Sequence, residues 1–178
     1  MFFVPGYIIT ILTFPGVIVH EFAHMLFCKL RGVAVLDVCF FSLGNPAGYV
    51  VHEETKDFTT TFLISVGPFI VNSLLCMFIC FPVLIPIRIF GVVDKFSYVL
   101  LWLGISIGMH AFPSTGDAYS LFQQAKKSVF ALHPLAIISF PLVIAIYIVN
   151  ALRIFWFDYI YGVAIGLGLP SFLLRHLI

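Results

Sequence analysis

Phe14-Pro15-Gly16-Val17-Ile18-Val19-His20-Glu21-Phe22-Ala23-His24-Met25-Leu26-Phe27-Cys28-Lys29-Leu30 is an apolar helical stretch with three ionisable residues at its centre. An ionisable group inside a membrane-spanning helix costs about 2.5 kcal/mol or more and usually marks a function. The question is therefore whether the surrounding chain belongs in lipid. It is 62% hydrophobic and 10% charged, with a mean hydropathy of +1.14, against roughly a quarter charged in an ordinary soluble domain.

Outward from this stretch the apolar runs repeat. A spanning helix needs about 20 mostly apolar residues, and five runs approach or exceed that length: Val4 to Leu30, Thr59 to Ile87, Phe96 to Phe112, Ser128 to Leu152 and Tyr159 to Leu174. The expected fold is an all-α polytopic membrane protein of about five transmembrane helices, forming one membrane-embedded domain over residues 1–178. Its core lies at about 4–120, and further spans at about 128–174 follow. Pro82 and Pro86 predict a tilt or break late in the second run, and Pro170 a close to the fifth. The apolar N-terminus lacks the basic start and small-residue cleavage site of a secretory signal and is expected to be retained.

Between the first two runs, Val33 to Phe41 and Gly48 to His52 are rich in β-branched and aromatic residues around a Gly44-Asn45-Pro46-Ala47-Gly48 turn, so a small β-hairpin is expected, with an irregular loop as the alternative. Cys28, Cys39, Cys76 and Cys80 form no Cys-x-x-Cys pair and read as small packing side chains. A formal net charge of +1 gives no case for nucleic acid. If the first run ends at the cytoplasm, Lys29, Arg31, Lys56, Lys126, Lys127 and Arg175 lie inside and Arg88, Lys95 and Arg153 outside, as the positive-inside tendency asks.

His20-Glu21-Phe22-Ala23-His24 spells His-Glu-x-x-His. On a helix, side chains four apart stand one turn apart on one face, so both imidazoles can hold one Zn²⁺, with Glu21 beside them as a general base toward an activated water. Random order would produce this pattern only ~0.003 times in such a chain, which leaves coincidence a weak explanation. A catalytic zinc takes three protein ligands, and Asp117, after Pro113 and Gly116, is the best third, because the expected topology returns it to the side of His20 and His24. Its alternative role is helix capping. Glu53, Glu54, Asp57 and His52 compete from a loop that otherwise reads as solvated. His110 is a partner to the site or a hydrogen bonder within the bundle.

The stretch from His20 through Val33 resembles the first catalytic segment of the site-2 protease class of intramembrane zinc metalloproteases, and the similarity runs from about Pro15 to Ser120. The resemblance implies a site-2 protease-like core, one zinc per chain on His20, His24 and Asp117, and catalysis by Glu21. Gly67-Pro68 with Asn72 would match the family's central motif, and Asn72 would hold a substrate carbonyl or the developing oxyanion; a hydrogen bond between helices is its alternative. The matches are imperfect, since Asn72 falls one residue later than in the family and Asp117 sits in Gly-Asp-Ala rather than Leu-Asp-Gly. The implied activity is hydrolysis of peptide bonds in a membrane-protein substrate with a transmembrane helix, within the lipid bilayer, with a regulatory or adaptor membrane protein as a candidate partner and the active site toward the cytoplasm. Other readings are a non-proteolytic membrane zinc protein or subunit and a zinc hydrolase with a non-peptide substrate.

Overall fold

The structure, a computed structural model, describes residues 6–177; Val4 and Pro5 of the first expected span lie outside them. In chain order the elements are α1 (Gly6–Leu12), α2 (Phe14–Leu30), β1 (Val35–Cys39), β2 (Tyr49–His52), α3 (Phe58–Phe90), α4 (Lys95–Met109), α5 (Thr115–Phe130), α6 (Pro134–Leu152), α7 (Phe157–Val163) and α8 (Leu169–Leu177). A 3₁₀ turn covers Arg153–Phe155, and a π-helical turn, Ala164–Gly168, joins α7 to α8. The protein is mostly helical. The expected hairpin is present: β1 and β2 pair antiparallel, with Cys39 opposite Tyr49 and Val35 opposite His52.

Among the described residues three helices are long and apolar enough to cross a membrane, namely α3, α6 and the segment Phe157–His176. The α1–α2 pair makes a fourth if counted as one broken span. This is consistent with a membrane location. Among the described residues five full-length spans are not reached, because α4 has 15 residues, about 22 Å at 1.5 Å per residue against a hydrocarbon core of about 30 Å.

Several boundaries differ from the sequence expectation, each for a local reason. The first run is bent by 83° between α1 and α2. Pro15 falls in the first turn of α2, where its missing N–H costs nothing and its ring disfavours helical geometry just before it. By contrast α3 runs unbroken through Pro68, Pro82 and Pro86, capped at the start by the Asp57 side chain and at the end by Gly91 at φ +64°. The fourth run does not begin at Ser128. Residues up to Phe130 complete α5, Leu132 takes φ +58°, and Pro134 opens α6. The fifth run does not close at Pro170 either, as α8 continues through it behind the π-helical turn.

Two packing zones flank α3. Around its first half, Phe58 and Val66 meet Leu121 and Ala125 of α5 and Ala136, Val143 and Ile146 of α6. Around its second half, Cys76 and Cys80 fit against glycines: a Cβ at Gly108 would lie 2.8 Å from Cys76 Sγ and 3.1 Å from the Gly162 Cα. Small residues that let backbones approach this closely are how helices associate where lipid removes the hydrophobic drive. Outward side chains such as Phe78 and Ile138, 73% and 77% exposed, are apolar, as a lipid-facing surface requires.

The contacts also exchange two arginines between the ends of the bundle. Arg175, expected beside Lys29, lines a cavity with Arg88 and Ser171 at the far end of α3. Arg153, expected at that far end, lines a cavity with His20 and Glu21. The chain leaves the centre along α5 and returns along α6, whose Asn150 donates to the Pro113 carbonyl and accepts from the Thr115 hydroxyl. Thus α6 ends level with the start of α5, and the last segment runs on to Arg88.

Candidate metal centre

His20, Glu21 and His24 are 8%, 8% and 6% exposed, buried in the middle of α2 between α3 and α4. Helical spacing places the two histidines one above the other, with Nε2 of His24 3.1 Å from Nε2 of His20. Each ring is fixed from behind. His20 Nδ1 lies 2.7 Å from the His110 carbonyl oxygen, and His24 Nδ1 lies 3.0 Å from the Ile64 carbonyl oxygen. A carbonyl only accepts, so both Nδ1 atoms carry the proton and a neutral ring presents its Nε2 as a lone pair.

Asp117 arrives from α5. Its Oδ2 is 3.3 Å from His24 Nε2, and one ligand atom from each of His20, His24 and Asp117 lies within 4.8 Å of the others. Two imidazole lone pairs and a carboxylate oxygen therefore converge, an arrangement complementary to a cation. Donors about 2.0–2.2 Å from one tetrahedral ion lie ~3.3–3.6 Å apart; the His20–His24 and His24–Asp117 separations, 3.1 Å and 3.3 Å, fall near this, and 4.8 Å bounds the set.

The helix-capping role weighed for Asp117 is also realised. Ser114 Oγ accepts from the Asp117 amide at 3.1 Å, while Asp117 Oδ2 accepts from Ser114 Oγ at 2.6 Å and from the Ser114 amide at 3.2 Å. This capping box opens α5 and points the carboxylate at His24. Burial pushes the Asp117 carboxyl up, but the adjoining His24 and the hydrogen bonds from Ser114 outweigh it and hold the group below the usual carboxylate range.

The other acidic candidates take different places. Asp57 caps α3, accepting from the Thr60 amide at 2.9 Å and the Thr60 hydroxyl at 2.7 Å, which lowers its pKa. His52 and Glu54 line a cavity of about 410 Å³ together with Asp117, Tyr119, Gln123 and Lys127, near the centre without joining it. Cys28 is buried and forms no part of the three-residue cluster.

Asn72 is fully buried. Its Nδ2 donates toward the carbonyls of Gly16 at 3.3 Å, Ile107 at 3.1 Å and His110 at 3.1 Å, tying α3 to α2 and to the end of α4. That is the helix-bridging arrangement; its amide protons face backbone carbonyls and not the open side of the centre. Because the His110 carbonyl also receives His20 Nδ1, Asn72 reaches the centre indirectly. The His110 ring is turned away, its Nε2 2.8 Å from Thr13 Oγ1.

Glu21 faces a cavity of about 170 Å³ shared with His20, Gly48, Ser114 and Arg153. The hairpin leans on it, as a Cβ at Gly48 would lie 2.7 Å from Glu21 Cγ. Sequence reasoning missed Arg153, whose Nε is 2.6 Å from Asp158 Oδ2. An arginine and an aspartate five residues apart amid apolar sequence were the available signal. No family model, curated protein or solved structure matches the chain.

Proposed function

We propose that the chain is a multi-pass, membrane-embedded zinc metallopeptidase that hydrolyses peptide bonds in membrane-spanning substrates. The observation that carries this reading is the convergence of two Nε2 lone pairs and the Asp117 carboxylate beside a glutamate that faces its own small cavity. A zinc ion on His20, His24 and Asp117 would act as a Lewis acid and bring the pKa of water toward neutrality. Glu21 takes a proton from the attacking water and returns it to the departing amide nitrogen. Burial of α2 excludes bulk water, and the carbonyls behind His20 and His24 keep the rings oriented.

In this reading the α1–α2 pair, α3 and the short α4 cross in turn, the bilayer adapting to the length of α4, and α6 with Phe157–His176 carries the chain back to the end marked by Arg88. Lys29, Arg31, Lys56, Lys126 and Lys127 mark the cytoplasmic end. A helical substrate has its peptide groups bonded internally and must unwind before cleavage. The cavity that runs from His52, at the end of β2, to Asp117 suits an extended segment.

One observation favours a second reading. The same three acceptors can be satisfied by a proton on His24, making a buried ion pair with Asp117 and a centre that serves only structure. Glu21→Gln separates the two. With fluorophore-quencher single-span peptides in reconstituted vesicles, the peptidase reading expects cleavage by wild type and a loss of at least about 100-fold in the variant, with zinc retained. Equal cleavage by both would refute a role for Glu21.

A further inference from the structure

We infer that Pro68 is a positioning residue for the metal centre: by removing the amide that would occupy the Ile64 carbonyl, it reserves that carbonyl for Nδ1 of His24. The inference rests on the metal-site reading above. In an unbroken α-helix the carbonyl of residue 64 receives the N–H of residue 68. Proline has no N–H, and its ring crowds the carbonyl four residues earlier, turning it away from the helix axis. Ile64 lies inside α3, away from either end, so its carbonyl would otherwise be an ordinary rung of the helix. Instead the acceptor is taken by His24 at 3.0 Å.

Gly67 makes this reach possible. A Cβ there would strike the Phe27 ring of α2, so the absence of a side chain lets α2 and α3 close together one turn from His24. Gly67 thus sets the approach of the helices and Pro68 supplies the acceptor. Pro82 offers an internal comparison, because the carbonyl it frees belongs to Phe78, which is 73% exposed and remote from the centre. Pro68 itself is among the fully buried residues.

Fixing Nδ1–H on His24 directs the Nε2 lone pair at the metal position, and disturbing such an outer partner typically lowers metal affinity 10–100-fold. The test uses the purified full chain in detergent, with Zn²⁺ affinity from competition against a chromophoric chelator and ring tautomers of ¹⁵N-histidine-labelled metal-free protein by NMR. Pro68→Ala and Pro68→Ser both restore the amide, so one folded variant suffices. Expected are a zinc dissociation constant raised about 10–100-fold, a His24 ring no longer held as the Nδ1–H tautomer, and wild-type behaviour for Pro82→Ala. Unchanged affinity, or weakened affinity with the His24 tautomer intact, would overturn the inference. A wild type that binds no zinc would refute the metal reading, and the tautomer comparison would then decide by itself whether Pro68 governs His24.

Discussion

The helices that meet at the centre hold their candidate donors in opposite ways. On α2, His20 and His24 are oriented by carbonyls 90 and 40 residues away in sequence, so their aim depends on how α3 and α4 pack. On α5, Asp117 is oriented by Ser114, three residues before it, in a device the helix carries with it. The proposed metal centre therefore joins a donor pair built by tertiary packing to a third donor built by local chemistry. The two halves should fail differently when perturbed.

The larger effect is expected on the packing side. Asn72→Ala removes an amide that bridges α2, α3 and the end of α4. It should cost about 2–3 kcal/mol of stability, the loss of several buried hydrogen bonds. Zinc affinity should fall roughly tenfold as the His110 carbonyl loses its hold. Thermal unfolding in detergent and chelator competition check both, and a normal melting temperature with weakened cleavage would instead assign Asn72 a direct role toward substrate. The smaller effect belongs to the local side. Ser114→Ala should cost about 1 kcal/mol as a lost helix cap, with a several-fold loss of zinc affinity and recovery in Ser114→Thr. An unaltered affinity would show that α5 aims Asp117 without Ser114.

The same contrast explains what was legible in the sequence. Features with a short-range signature were readable: the His-Glu-x-x-His spacing, the long apolar runs and the β-hairpin around Gly44 to Ala47. Asp117 was singled out by topology, and Ser114-x-x-Asp117 is itself a capping pattern that announces α5. That helix escaped the reading because a search for apolar runs passes over Gln123, Gln124, Lys126 and Lys127. What sequence could not supply was pairwise and remote. Nothing local connects His24 with Ile64, His20 with the carbonyl of His110, or Arg153 with the Glu21 cavity. The 83° bend at Thr13 was signalled by Pro15 but masked by the continuous hydrophobicity around it. Proline alone was also a poor guide, since α3 contains three without breaking.

The central claim is that His20, His24 and Asp117 hold a metal. Metal content of the detergent-purified full chain, measured for wild type, His24→Ala and Asp117→Asn, tests it most directly. The account predicts about one zinc per chain in wild type and its loss in both variants, as expected for a three-ligand site. A wild type prepared without chelators that carries no metal would contradict it, and an Asp117→Asn protein that keeps its full zinc would remove Asp117 from the centre.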